Sequence, residues 1–294
     1  MRSVGMADDH LQPGWRARRV PANGVELHLV EAGPEDGAPV FLLHGFPEFW
    51  WAWRHVIGPL AAAGRRVVAP DLRGYDLSDA PAGVASYRVE LLAADVAGIA
   101  DALGIERFDL VGHDWGGLVA WTVAARHPER VAQLVVMDAP HPDAWGRFAA
   151  THPTQALRSA YVGWFQLPFA PEAALSAFGY AGFKATLRST ARPGVFTDAI
   201  LARYRDAWAR PGRLTAMLNY YRALRLGGGR AGRVAAPTLV IWGGRDTFLD
   251  DRLAQASAAR CADARVVVVE DATHWLHLEQ PGRVAAEIGA FLAA

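Results

Sequence analysis

The chain has 294 residues, a formal net charge of zero and a 52% share of hydrophobic residues. This neutral balance argues against the basic surface that nucleic acid or an anionic membrane would require, so we expect a small-molecule partner and no nucleic acid. The lone cysteine, Cys261, excludes an internal disulfide and most cysteine-based metal sites.

No stretch of the chain predicts export or membrane insertion. Residues 1–15 contain no apolar run that could act as a signal peptide. No segment reaches the roughly 18 uninterrupted apolar residues that a membrane span needs. We therefore expect a cytoplasmic protein without membrane contact.

Short apolar runs alternate with helical patterns along most of the chain. Residues 25–30 alternate in polarity after the Asn23-Gly24 turn, which predicts the second strand of a hairpin. Continuous apolar runs predict buried strands, and apolar residues at helical spacing predict helices. The predicted strands are 25–30, 40–43, 66–69, 108–112, 131–137, 238–242 and 265–269, and the predicted helices are 87–103, 118–126, 252–259 and 283–292.

The alternation of predicted strands and helices stops between residues 141 and 229. Aromatic and alanine-rich helical stretches replace the strands there, and the glycines at 227–229 close the segment. The alternation elsewhere predicts an α/β fold with a mostly parallel sheet covered by helices on both faces. We expect a core domain of residues 1–140 and 230–294, and a helical cap of residues 141–229 inserted after the sixth strand, above its ligand-binding edge.

The hexapeptide 112–117, GHDWGG, joins a predicted strand directly to a predicted helix. Its G-x-D-x-G pattern is the nucleophile-elbow motif of α/β-hydrolases with aspartate in the serine position. The helix dipole favours an ionised carboxylate at this end of the helix. Asp114 is therefore a candidate covalent nucleophile, although an aspartate here could also serve merely as a helix cap.

Motifs elsewhere in the chain favour the catalytic interpretation. Asp246 and His274 each follow a predicted strand, and the order Asp114, Asp246, His274 is the nucleophile, acid and base order of α/β-hydrolases. Asp138, which ends the predicted strand 131–137, is an alternative acid.

Backbone groups next to these motifs predict an oxyanion hole. The sequence HGFP at 44–47 follows another predicted strand. In this fold the N–H groups of Phe46 and Trp115 would face the same point and stabilise an oxyanion.

A carboxylate nucleophile restricts the substrate. Attack on an ester or amide would give a mixed anhydride, whereas attack on saturated carbon gives an alkyl ester that water can hydrolyse. The leaving group is therefore an epoxide oxygen or a halide, and no cofactor or metal is required.

Eight stretches of the chain, some of them outside the catalytic motifs, carry a resemblance to a known family. They are residues 44–48, 53–54, 71–75, 112–117, 165–168, 219–222, 273–275 and 279–281. Together they resemble the α/β-hydrolase-fold epoxide hydrolases over essentially the whole chain after Val20. The resemblance implies an eight-stranded, mostly parallel sheet with a cap, and an activity that opens epoxides to diols.

The resemblance also implies two cap tyrosines that donate protons to the epoxide oxygen. Tyr221 matches the second of them. The position just before Phe165 holds Trp164 where the first is expected, with Tyr161 three residues earlier. We expect Trp164, Tyr161, Tyr220 and Trp275 to contact the substrate.

Dehalogenases share the aspartate nucleophile and are the alternative. The cap tryptophan looks like the halide-binding residue of fluoroacetate dehalogenases, and Trp115 and Trp164 could both donate N–H groups to a halide. Those enzymes also grip the substrate carboxylate with two arginines, where this chain has Trp115 and Leu118. We therefore expect a small apolar or aromatic substrate rather than a haloacid, and we leave a homodimer open.

Overall fold

One eight-stranded sheet organises the molecule. A computed structural model describes residues 10–227 and 231–294. The strand order is β1-β2-β4-β3-β5-β6-β7-β8; β2 runs antiparallel to β1 and β4, and the other neighbours are parallel. This confirms the predicted α/β-hydrolase architecture. The strands are β1 (Arg16–Ala22), β2 (Val25–Ala32), β3 (Pro39–Leu43), β4 (Arg66–Pro70), β5 (Phe108–His113), β6 (Val131–Met137), β7 (Thr238–Gly243) and β8 (Ala264–Val269).

Helices cover the sheet and fill the segment between β6 and β7. They are α1 (Ile57–Ala62), α2 (Val89–Ala102), α3 (Trp115–Arg126), α4 (Pro142–Thr151), α5 (Pro153–Arg158), α6 (Ala160–Trp164), α7 (Ala170–Thr190), α8 (Asp198–Trp208), α9 (Arg213–Ala223), α10 (Arg252–Ala258), α11 (Leu276–Glu279) and α12 (Pro281–Leu292). Short 3₁₀ turns cover Trp50–Trp53, Val84–Tyr87 and Leu224–Leu226.

Three predicted helix starts were wrong, and one of them, that of α12, lies at Pro281 instead of residue 283. The helix expected from residue 118 begins at Trp115, because the elbow turns directly into it and its glycines hid the helical pattern. The helix expected from residue 87 begins at Val89, because Arg88 has extended backbone (φ −64°, ψ 139°) and the preceding residues form a 3₁₀ turn.

The helical segment α4 to α9 lies between β6 and β7 in the chain. The division into a core and a cap domain stays a prediction. Its second boundary, at 229/230, lies outside the described residues, as do the last two glycines of the 227–229 run and the first nine residues of the chain.

The central strands are buried from end to end and make the scaffold of the site. Every residue of β5 and β7 is buried, which explains their continuous apolar sequences. The parallel strands β3, β5, β6 and β7 end at one edge of the sheet, and the motif residues follow them there. In the part of the chain that the structure describes, we find no helix with the length and apolarity to cross a membrane.

Candidate active site

Asp114 occupies a strained turn between β5 and α3. Its backbone angles are φ 50° and ψ −119°, which non-glycine residues rarely adopt. The carboxylate is 17% exposed, and its Oδ1 accepts a hydrogen bond of 2.7 Å from the backbone N–H of Phe46. Strain of this kind persists where the surrounding structure enforces it, as at active sites.

Two glycines allow the chain segments around Asp114 to approach closely. A Cβ atom on Gly45 would lie 2.5 Å from the Cβ of Asp114, and one on Gly116 would lie 2.2 Å from the carbonyl oxygen of Leu43. Any larger residue at either position would push the loop after β3 away from the elbow. The N–H of Trp115 belongs to the first turn of α3, where helix geometry leaves amides without intrahelical acceptors. It is therefore available for the predicted oxyanion hole.

His274 connects two carboxylates. Its Nδ1 lies 2.7 Å from Oδ2 of Asp246, and its Nε2 lies 3.6 Å from Oδ2 of Asp114. Oδ1 of Asp246 accepts hydrogen bonds from the backbone N–H groups of Phe248 and Leu249, so both oxygens of this carboxylate have hydrogen-bond partners. Burial lowers the pKa of His274, but Asp246 and Asp114 outweigh it and raise the pKa well above its ordinary value.

Asp138, the alternative acid, lies beside this triad without a hydrogen bond to His274. Its Oδ1 accepts the backbone N–H of Gly243 at 2.8 Å, and its Oδ2 has no partner. Burial, and after it the neighbouring charge of Asp246, raise the pKa of Asp138 well above its ordinary value. A raised pKa makes Asp138 a weaker charge partner for an imidazolium, and Asp246 is the carboxylate that contacts Nδ1 of His274, so the geometry favours Asp246 as the acid.

A buried network lies beneath the triad. Glu48 contacts Nδ1 of His113 and Nε2 of His277, each at 3.1 Å, and accepts the hydroxyl of Tyr204 from α8 at 3.1 Å. Nε2 of His113 lies 2.9 Å from the backbone carbonyl oxygen of His274. The facing atoms of Glu48, His113 and His277 are close enough to hold a metal ion. Because hydrogen bonds already join them, we interpret the cluster as a support for the base.

A cavity of about 300 Å³ opens above Asp114. Among the described residues, most of its wall is apolar or aromatic, and the ionisable side chains in it are Asp114, Asp138 and tyrosines. The residues that line it are Tyr87, Val89, Asp114, Trp115, Leu118, Asp138, Ala139, Pro140, Pro142, Trp145, Ser159, Tyr161, Val162, Tyr220, Tyr221, Ala223, Leu224, Gly227, Phe248 and Leu249.

Two cap tyrosines lie side by side in this wall. The rings of Tyr161 and Tyr221 are 5.9 Å apart, and the ring of Tyr221 also packs edge-on against Trp115 at 5.1 Å. Burial raises the pKa of both phenols, and the charge of Asp114 adds to the effect on each. Both hydroxyls therefore stay protonated, and both feel the charge of Asp114.

The structure places two of the predicted substrate contacts outside the described lining of this cavity. Trp164 is 37% exposed and does not line the cavity, whereas Tyr161, three residues earlier in α6, does. Trp275 is buried, donates its indole N–H to Thr190 at 3.1 Å and does not line the cavity either.

Tyr220 lines the cavity as expected, but its hydroxyl points elsewhere. It donates to the backbone carbonyl of Arg73 at 2.7 Å. Its ring, rather than its hydroxyl, is therefore what a ligand would meet.

Sequence reasoning missed several residues of the site. Phe248 packs edge-on against His274 with 5.2 Å between ring centres, and the Glu48 network was assigned no role. The position of Glu48 directly after HGFP, and of His113 directly before the nucleophile, was the signal that could have found them.

Comparisons with known proteins agree with this geometry. Residues 38–281 match the family model described as "alpha/beta hydrolase fold". The chain is 42% identical to the AB hydrolase superfamily protein YfhM of Bacillus subtilis, covering 92% of this chain and 96% of that protein. It is 37% identical to mouse (Mus musculus) epoxide hydrolase 4, covering 93% and 78%. The crystal structure of Bacillus megaterium epoxide hydrolase in complex with an inhibitor superposes with a TM-score of 0.87 at 30% identity, covering 94% of this chain and 100% of that one. The chain therefore belongs to the α/β-hydrolase fold family and, within it, to the epoxide hydrolases.

Proposed function

We propose that the protein hydrolyses epoxides to vicinal diols through a covalent ester on Asp114. The observation that carries the proposal is the pair of phenols, Tyr161 and Tyr221, side by side in the cavity wall that also contains Asp114. An epoxide needs both a nucleophile and an acid, and a halide needs no acid.

In the first half-reaction, a carboxylate oxygen of Asp114 attacks an epoxide carbon and the ring C–O bond breaks. The departing oxygen takes a proton from Tyr161 or Tyr221, while the other phenol donates a hydrogen bond. Such acid assistance contributes ~10²- to 10⁴-fold to the rate. Because burial keeps both phenols protonated, two donors are present at neutral pH.

In the second half-reaction, Nε2 of His274 takes a proton from water, and the hydroxide attacks the ester carbonyl of Asp114. The oxyanion that forms accepts hydrogen bonds from the N–H groups of Phe46 and Trp115, each worth about 3 kcal/mol. The Phe46 bond to Oδ1 supports this role. Asp246 stabilises the imidazolium, which protonates the diol oxygen as the intermediate collapses and its C–O bond to Asp114 breaks. The carboxyl of Asp114 then gives up its proton, which restores the phenol consumed in the first step.

The wall of the cavity supports an uncharged, apolar or aromatic substrate. Its aromatic surfaces include Trp145 and Phe248, and its described lining residues contain no lysine or arginine that could pair with a substrate carboxylate. A haloacid is disfavoured for the same reason, because Leu118, at a position where an arginine would bind the substrate carboxylate, is an apolar lining residue.

A haloalkane dehalogenase is the second candidate. Trp115 could donate an N–H to a halide from the cavity wall, but the exposed position of Trp164 leaves the halide without its second expected donor. We also propose, from the sequence, a cytoplasmic protein that needs no cofactor, and we leave a homodimer open.

A paired product assay tests the proposal. Purified protein is incubated with styrene oxide and, separately, with a haloalkane of similar size, and diol and halide are quantified. We expect diol formation that is abolished in Asp114→Ala. Halide release without diol formation would instead establish the dehalogenase, and neither product would overturn both.

A further inference from the structure

The carboxylate of Glu279, at the end of α11, binds the loop that carries His274. Oε2 of Glu279 accepts the backbone N–H of Thr273 at 2.8 Å, and Oε1 accepts the hydroxyl of Thr273 at 2.6 Å. The residue that Glu279 holds twice is thus the immediate neighbour of the base.

The same carboxylate also reaches the cap. Oε1 of Glu279 accepts the backbone N–H of Arg192, two residues beyond the end of α7, at 2.8 Å. Two further contacts join the same segments. The indole N–H of Trp275 donates to the hydroxyl of Thr190, and the guanidinium of Arg192 lies 3.3 Å from a carboxylate oxygen of Asp271.

We infer that Glu279 is a positioning residue for His274 and that it ties the base loop to the cap. The inference rests on the proposed two-step reaction. Glu279 is not among the described residues that line the cavity and makes no hydrogen bond to Asp114, Tyr161 or Tyr221, whereas both of its oxygens hold the residue next to the base. Its loss therefore slows hydrolysis of the ester and spares its formation.

The chemistry of the clamp explains why a carboxylate is needed. Three donors converge on Glu279: one hydroxyl and two backbone N–H groups. A carboxylate only accepts hydrogen bonds and offers about four lone-pair sites, whereas an amide of the same shape presents an NH₂ group in place of one oxygen. In Glu279→Gln, the NH₂ group of the amide faces at least one of these N–H donors. At least one backbone N–H therefore loses its hydrogen-bond acceptor.

Single-turnover kinetics test the inference. Glu279→Gln and wild type are mixed with limiting styrene oxide, and the covalent ester is followed by rapid quench and intact mass. We expect the rate of ester formation to stay within about 2-fold and the rate of ester hydrolysis to fall roughly 10- to 100-fold, because displacements of ~1 Å near a reacting group cost up to about 10²-fold. Equal losses in both steps, or no loss in hydrolysis, would overturn it.

Two variants serve as controls. Glu287→Gln removes a partly exposed carboxylate of α12 that pairs with Arg265. This pair shares no hydrogen bond with the base loop, so the change should alter neither step. Arg192→Ala keeps the backbone N–H that Glu279 accepts and loses only the ion pair with Asp271, so hydrolysis should stay within about 2-fold of wild type.

Hydrogen exchange separates this inference from the proposed function. In Glu279→Gln, the amide of Thr273 or that of Arg192 should exchange at least about 10-fold faster than in wild type, since at least one of them loses its acceptor. This readout needs no turnover. Absence of diol formation in wild type would overturn the proposed function, while unchanged exchange at both amides would overturn the clamp.

Discussion

Replacing Tyr161 and Tyr221 with phenylalanine removes the two hydroxyls that the account assigns to the epoxide oxygen. Each ring keeps its packing, with 5.9 Å between the two rings, so the change is confined to hydrogen bonding. A hydrogen bond to a charged group is worth about 1.5–3 kcal/mol, which converts to a loss of roughly 10- to 100-fold for one hydroxyl.

The double variant should lose ~10²- to 10⁴-fold, the range for general acid catalysis. Since the two phenols are neighbours and either can serve as the acid, each single variant should lie near the low end of its range, and the double variant should lose more than the product of the two single losses. The assay is the single-turnover rate of ester formation with styrene oxide, which isolates the step that needs an acid.

Tyr220→Phe is the matched control. Its ring lines the same cavity, but its hydroxyl donates to the carbonyl of Arg73. We expect ester formation within about 3-fold of wild type, with a stability loss of about 1 kcal/mol. A double variant of Tyr161 and Tyr221 that forms the ester within 10-fold of wild type would refute the acid role.

Three further outcomes follow from the buried charges around the base. Asp114→Asn should lower the pKa of His274, because the charge of Asp114 helps to raise it, so an NMR titration should show the proton leaving at lower pH; an unchanged pKa would contradict the geometry. Asp138→Asn should leave turnover within about 3-fold, since burial raises the pKa of this carboxyl and it makes no hydrogen bond to the base, whereas Asp246→Asn should cost ~10⁴-fold by loss of the base's orientation; equal losses in the two would revive Asp138 as the acid. Glu48→Gln should lower the free energy of unfolding by about 3 kcal/mol, because three buried donors face this charge, and a urea transition within 1 kcal/mol of wild type would argue against it.

Apolar runs predicted the sheet well because its central strands are buried on both faces. Strands such as β5 then read as continuous apolar sequence, and even their ends were nearly right. Helix starts were harder to predict. The residues around Trp115 and Arg88 follow the demands of a tight turn and a 3₁₀ segment, which outweigh the periodicity of the helix that follows.

The triad could be predicted because its residues directly follow strands and stand in a recognisable order. The cap could not be predicted to the same depth. Adjacency to Phe165 favoured Trp164 as the cavity residue, but one residue along a helix is a rotation of about 100°. The inward position belongs to Tyr161, which shares a helix face with Phe165.

Contacts between segments that are distant in the chain could not be predicted from the sequence either. Trp275 follows the base directly and looked like a pocket residue, yet its partner is Thr190, 85 residues away in the cap. The choice between Asp138 and Asp246 likewise needed the geometry, since both follow strands at the same edge of the sheet. Both are buried, and their hydrogen-bond partners distinguish them.

Trapping the covalent intermediate tests the central claim most directly. His274→Gln removes the base that activates water and leaves the nucleophile intact, so the ester should accumulate after mixing with styrene oxide. Intact mass spectrometry should show a gain equal to one epoxide molecule, peptide mapping should place it on Asp114, and the double variant with Asp114→Ala should show none. Diol production by His274→Gln at the wild-type rate without an adduct, or an adduct on any other residue, would contradict the account.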